Sequence, residues 1–161
     1  MIPDVKNLLK RISALMTVQD IAQELTSELD HVRLLHKILQ AAVQVLDAET
    51  GSILIWVPPD HLEFEVSDEE RIIGLRIPAS EGIAGWVYRK GKALIINDPY
   101  NDVRFNKEVD KKLDFKTENI LCVPLFFKDQ PIGSFEILNK KEGEGFDHND
   151  EKMLRVFAHQ A

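Results

Sequence analysis

The stretch Asn119-Ile120-Leu121-Cys122-Val123-Pro124-Leu125-Phe126-Phe127, then Lys128-Asp129-Gln130, then Pro131-Ile132-Gly133-Ser134-Phe135-Glu136-Ile137-Leu138, decides the fold class. Two apolar runs flank three polar residues, which is the pattern of a β-hairpin. Strands joined by so short a turn are antiparallel, because a parallel pair needs a crossover of a dozen or more residues. Downstream, Gly143-Glu144-Gly145 turns the chain. Asp147 or Asn149 then caps a last helix with Met153, Leu154, Val156 and Phe157 on its core face. No glycine or proline closes that helix before Ala161, so the natural protein is expected to continue into an output domain.

Upstream the elements alternate irregularly. Ala93 to Asn97 reads as a strand and Gly82-Ile83-Ala84-Gly85-Trp86-Val87 opens a short helix that Gly91 ends. Between them and the hairpin, Tyr100 to Thr117 is a long polar loop with a short helix near Lys107–Leu113, and loops of this length in compact domains are usually functional or disordered. Ile72 to Ile77, Leu62-Glu63-Phe64-Glu65-Val66 and Ser52 to Val57 are extended. Before them, Asp30 is the expected N-cap of a helix running to about Ala48, with Leu34, Leu35, Ile38, Leu39, Ala42, Val43 and Leu46 inward and Thr50-Gly51 as its breaker. Pro3 to Leu29 forms a separate helix whose Val5, Leu8, Leu9, Ile12, Leu15, Met16, Ile21, Ala22, Leu25 and Leu29 recur at spacings of three and four. At about 25 residues it reaches roughly 37 Å, more than a small core needs, which marks it as a dimer seam. The expected fold is therefore α+β, with an antiparallel sheet and helices packed on it.

Composition narrows the function classes. The chain has 161 residues, 44% apolar and 29% charged, enough for one domain with a real core. Its net charge of −7 argues against wholesale binding of nucleic acid or anionic membrane. No apolar run reaches the roughly 18 residues needed to span a bilayer. The single cysteine, Cys122, permits neither an intrachain disulfide nor a cysteine-based zinc cluster and fits a reducing cytoplasm.

Catalytic patterns are missing: there is no Gly-rich phosphate loop with Lys-Ser/Thr and no Gly-x-Ser-x-Gly elbow. Of the five histidines, His31 and His36 are five apart and so on different helix faces. Asp68-Glu69-Glu70 reads as a solvated turn, and Cys122, in a core strand, as a small hydrophobe. Gly82-Ile83-Ala84-Gly85 reads equally as an anion-accepting helix start or as a tight helix–sheet contact.

Arg76-Ile77-Pro78, Gly82 to Val87, Gly91, Asp98, Tyr100, Asn119 to Pro124 and Ile132-Gly133, in this order, resemble the signature of GAF domains. Asn139-Lys140, Phe146 and Asp150-Glu151 resemble the NKFDE motif of the GAF domains of cyclic-nucleotide phosphodiesterases. The resemblance implies a six-stranded antiparallel sheet with the terminal helices on one face and a ligand pocket under short helices and a lid loop on the other (GAF/PAS-like). It implies a linker or dimerisation helix over 1–29, a GAF domain over 30–161, and a non-catalytic, small-molecule-sensing fragment of a larger signalling protein of bacterial type. Ligand contacts are implied at Ser52, Asp68, Ile83, Ala84, Asn106, Asp110, Thr117 and Glu136, a structural ion pair at Lys140 and Asp150, and cAMP or cGMP as the ligand. Ser67 stands where cyclic-nucleotide binders carry the aromatic that stacks on the base. A homodimer through the terminal helices and a C-terminal output domain are the implied partners, with no metal, nucleic acid or membrane. The alternative is a ligand-free dimerisation or interaction module. Related proteins that reduce methionine sulfoxide use paired cysteines, and bilin carriers need a cysteine over the pocket; Cys122 serves neither.

Overall fold

A computed structural model describes residues 2–160. The hairpin forms as β5 (Ile120–Phe127) and β6 (Gln130–Lys140), paired antiparallel with Phe127 opposite Gln130. Only two residues make the turn, Lys128 and Asp129, both with positive φ (48° and 66°). That backbone twist matches the twist of the strands, so Gln130 belongs to β6 rather than to the turn.

Around the hairpin stand β1 (Ala48–Val57), β2 (His61–Ser67), β3 (Arg76–Pro78) and β4 (Leu94–Ile96), in the order β3-β2-β1-β6-β5-β4 and antiparallel throughout. Side chains alternate across the pleat, so each sheet face has its own residue set. Gly51, Ile53, Leu121, Val123, Phe135 and Ile137 share one face. A Cβ at Gly51 would lie 2.7 Å from Ile137 Cδ1 and 3.0 Å from Leu39 Cδ1. Gly51 is therefore not a helix breaker. It is a strand residue that lets the α1 (Ile2–Val45) side chain of Leu39 settle on the sheet. Leu35, Leu39, Ala42 and Leu46 are buried, as is Leu154 of α4 (His148–Gln160), which packs on β5.

Two helix expectations are corrected. α1 runs without interruption through Asp30, whose carboxylate pairs with exposed Arg33 at 3.8 Å instead of capping a new helix. No glycine or proline separates Leu29 from Val45, so nothing local ends the helix there. On α4 only Leu154 is fully buried; Met153 and Val156 are exposed. The chain divides into two compact units, Met1–Leu34 and Leu35–Ala161. In the first, Val5, Leu8, Leu9, Ile12, Leu15, Met16 and Leu29 are exposed; Ile21 and Leu25, assigned to the same stripe, have side chains outside the described set, as does Pro3. Ala161 also lies outside it.

The start of α4 is fixed twice. Asp150 N–H donates to Asp147 Oδ1 at 2.9 Å while Asp147 N–H donates to Asp150 Oδ2 at 3.0 Å, a reciprocal capping box. The other oxygen, Asp150 Oδ1, accepts from Lys140 Nζ at 2.8 Å, with the two side chains only 13% and 19% exposed. The last residue of β6 is thereby bound to the first turn of α4.

Candidate functional site

The opposite sheet face carries Ser52 and Leu54 of β1, Ile120 and Cys122 of β5, and Ser134, Glu136 and Leu138 of β6; register places Glu136 between Ser52 and Cys122. Against it lies α2 (Gly82–Lys90), whose Ile83, Ala84 and Val87 join Leu54, Phe64 and Ile120 in one apolar cluster. Ser134 Oγ donates to the Ala84 carbonyl at 2.7 Å, which fixes the height of α2 over the sheet. A Cβ at Gly85 would stand 2.6 Å from the Ala79 carbonyl oxygen, so this glycine serves close backbone packing. Gly91 ends the helix at φ 64°. The helix starts differently: Glu81 at the N-cap makes no side-chain cap, so the first-turn N–H groups beside Ile83 and Ala84 have no capping acceptor.

The long loop after β4 folds over this face. It contains α3 (Glu108–Leu113), one residue shorter at its start than expected because Asn106 Oδ1 accepts from Glu108 N–H at 2.9 Å. Asp110 is the loop's anchor. Its buried carboxylate accepts from Tyr100 OH (2.7 Å), Thr117 N–H (2.8 Å) and Thr117 Oγ1 (2.7 Å). That network joins α3 to the turn after β4 and to the approach to β5. It also raises the Tyr100 phenol above its ordinary range, chiefly through the hydrogen bond to Asp110. Tyr100 belongs to the family signature but not to the expected contacts; it stands ten positions before Asp110, and no spacing rule links the two.

Beneath the loop are two adjoining cavities. The first, about 70 Å³, lies between α2 and α3 and is bordered by Ile83, Ala84, Asn106, Asp110, Thr117 and Glu136, with Phe64, Ile77, Phe105 and Leu138 among its apolar walls. The second, about 320 Å³, lies between β1, β2 and α3 and is bordered by Ser52, Ser67, Asp68, Asp110 and Glu136. Phe64, Val109, Asp110, Glu136 and Leu138 wall both. All eight residues assigned as ligand contacts thus border one or both spaces. Their states differ. Ser52 Oγ donates to Ser67 Oγ at 2.8 Å, and Asp110 and Thr117 satisfy each other. Asp68 is exposed at the mouth, its carboxyl raised by partial burial with His36 opposing. Ser67 is buried at the edge of the second cavity, its hydroxyl bonded to that of Ser52.

Glu136 stands apart. It sits deep in the sheet, yet the cavities leave part of its surface open. Among the described residues no side chain donates to it. Burial first, and the Asp110 charge second, push its carboxyl up to about 7. Burial also pushes the Cys122 thiol well up, with Glu136 adding to the effect, so the thiol is held protonated. Among the described residues no group of three or more His, Cys, Asp or Glu side chains could hold a metal ion, and no helix is long and apolar enough to cross a membrane.

Comparison with known proteins identifies the family and the fold. The description of the GAF domain family matches residues 30–161. A dual 3',5'-cyclic-AMP and -GMP phosphodiesterase 11 of Drosophila melanogaster is 32% identical over 94% of the chain, and a dual phosphodiesterase 11A of Takifugu rubripes 28% identical over 96%. The chain spans only 12% and 19% of these relatives' lengths. Among solved structures, the GAF domain of a phosphoenolpyruvate-protein phosphotransferase from Coxiella burnetii superposes with a TM-score of 0.72 at 17% identity, covering 90% of each chain. A far-red cyanobacteriochrome photoreceptor gives 0.66 at 14% identity over 93% of each. At these identities the structural likeness concerns the fold.

Proposed function

The chain belongs to the GAF domain family, and from that premise we propose that it is the small-molecule-sensing regulatory domain of a larger signalling protein, holding a cyclic nucleotide or a related metabolite under the loop of residues 102–117. The observation that carries the reading is the divided cavity itself. At one end it meets uncapped N–H groups of α2, which suit a phosphate. At the other it meets Glu136 and the Ser52–Ser67 hydroxyl pair. Phe64, Phe105, Ile120 and Leu138 supply apolar contact for a ring. Small-molecule sites usually span about 300–1,000 Å³. The second space, about 320 Å³, stands at the lower end of that range and the first, about 70 Å³, far below it, so a ligand that reaches from Glu136 to the start of α2 requires the Asp110-anchored loop to move and merge the two. Ser52, Asp68, Ile83, Ala84, Asn106, Asp110, Thr117 and Glu136 are the proposed contacts. Lys140 and Asp150 are proposed as structural.

Ordering of the loop would bias α1 and α4, and through them a C-terminal output domain, by shifting an existing equilibrium. The domain itself is read as non-catalytic, in a reducing cytoplasm. The exposed Val5, Leu8, Leu9, Ile12, Leu15 and Met16 support a second copy of the chain as the partner of α1, with residues 1–29 as the dimerising segment and 30–161 as the sensor. Light scattering at micromolar concentration should report a dimer, and a monomer removes that part. For the ligand, thermal and chemical denaturation with cAMP and cGMP is the test. A nucleotide at 100 times its dissociation constant should add about 2.7 kcal/mol of stability. No gain with either nucleotide, together with no small molecule retained on purification by mass spectrometry, would leave the ligand-free interaction module as the better reading.

A further inference from the structure

The first cavity contains two carboxyl groups, Asp110 and Glu136, and no cationic side chain among its lining residues. The second adds Glu49, Asp68 and Glu69 against a single cation, Arg71, whose guanidinium is already bound through Nε and Nη2 to both oxygens of Glu69 (2.7 and 2.9 Å). From β5 the only titratable neighbour is the protonated Cys122, and α2 brings none to the lining. Of these acids Asp110 already accepts from three donors, so its oxygens are engaged within the protein. Glu136 has no such donors and faces the open space. An anionic ligand entering here would therefore meet the carboxyl groups of Asp110 and Glu136 together, between α2, α3 and the sheet, with no cation in the first space to offset them. Like charges so confined force one group to neutralise.

Resting on the receptor reading above, we propose that an anionic ligand such as a cyclic nucleotide enters this cavity together with a proton carried by Glu136, so that the domain senses ligand and acidity jointly. The Glu136 carboxyl, already near neutrality when the cavity is empty, needs only a modest further push from a phosphate to hold its proton through the physiological range. Protonated, it becomes a donor as well as an acceptor and can bond the ligand instead of repelling it.

The test is calorimetric titration of the whole chain with cAMP and cGMP at pH 6.0, 7.0 and 8.5, in two buffers of different ionisation heat. The expected result is net proton uptake on binding and an affinity about tenfold weaker at pH 8.5 than at pH 6.0. Glu136→Gln, which keeps the shape and removes the charge, should bind with little pH dependence. Binding without proton uptake, or an identical pH profile in the variant, overturns the proposal while the receptor reading stands. No binding by the wild type at any pH overturns both. Carboxyl carbon NMR of the wild type decides the matter without relying on the variant's folding: the Glu136 midpoint must rise when nucleotide is added, and a midpoint that stays or falls overturns the proposal.

Discussion

Replacing Lys140 by Ala should destabilise the domain far more than replacing its neighbour Lys141. Lys140 Nζ lies 2.8 Å from Asp150 Oδ1, with the pair less than one-fifth exposed, whereas Lys141 is exposed. A fully exposed pair contributes about 0–1 kcal/mol, and breaking a fully buried one costs about 3–5 kcal/mol. The partial burial places Lys140→Ala between them, near 2 kcal/mol, in line with the range for a charged hydrogen bond. In a chain of this length that is a fall in melting temperature of roughly 4–8 °C. Lys141→Ala should stay within about 0.5 kcal/mol. Asp150→Ala removes the ion pair and half of the capping box with Asp147, so it should cost about 1 kcal/mol more than Lys140→Ala. Urea denaturation of both single variants and the double variant closes a cycle whose coupling should be about 1–2 kcal/mol. Equal melting temperatures for the Lys140 and Lys141 variants, or additive effects in the cycle, would refute the assignment of this pair as the tie between β6 and α4.

Two further outcomes follow from the site. Glu136 keeps its proton in the folded protein up to about pH 7, against 4.5 for a free glutamate, so folding stability should fall as pH rises between those values and then level off. Glu136→Gln should therefore be stabilising above pH 7, by at most about 3 kcal/mol, with the gain vanishing near pH 4.5; a pH-independent difference in denaturation free energy counts against a carboxyl held neutral by burial. Tyr100→Phe deletes one of three donors to Asp110 and should cost about 1 kcal/mol while speeding amide exchange in residues 108–117; unchanged exchange there would show that the phenol does not hold the loop.

The central strands were legible because their signals are local. The runs at Ser52–Val57 and Ile120–Phe127 are apolar beyond what a loop tolerates, and Gly91 closes α2 where a left-handed residue is needed. The short outer strands were not. Ile72 to Ile77 is expected to be extended, but Ile72 ends a 3₁₀ turn over Glu70–Ile72, which Glu69 caps by accepting from Arg71 N–H at 3.1 Å, and β3 begins only at Arg76. A capped turn and a three-residue strand leave too few residues for a period to register. Asp30 differs for another reason: its interior position costs less than about 1 kcal/mol against Ala, and flanking helix formers without a glycine or proline override it. The site residues came from family resemblance, and their differing states were not readable from sequence. That Asp110 is saturated while Glu136 is not depends on which donors the tertiary fold brings within 3 Å, and Tyr100 and Thr117 approach Asp110 from opposite sides of the chain.

The clamp at the end of β6 has a mechanical consequence. Residues 141–145 bend in succession and on their own would make a universal joint, but the ammonium–carboxylate contact bypasses them. Three residues of β6, about 13 Å of strand counted from Glu136 to Lys140, separate Glu136 from that contact, and the one with a left-handed backbone, Asn139 at φ 62°, is held by its side chain, which accepts from Glu118 N–H and donates to Glu49 Oε2 and the Lys116 carbonyl. A twist applied along α4 thus reaches the floor of the cavity, and a tilt of the floor reaches α4, with no slack hinge between them to absorb either.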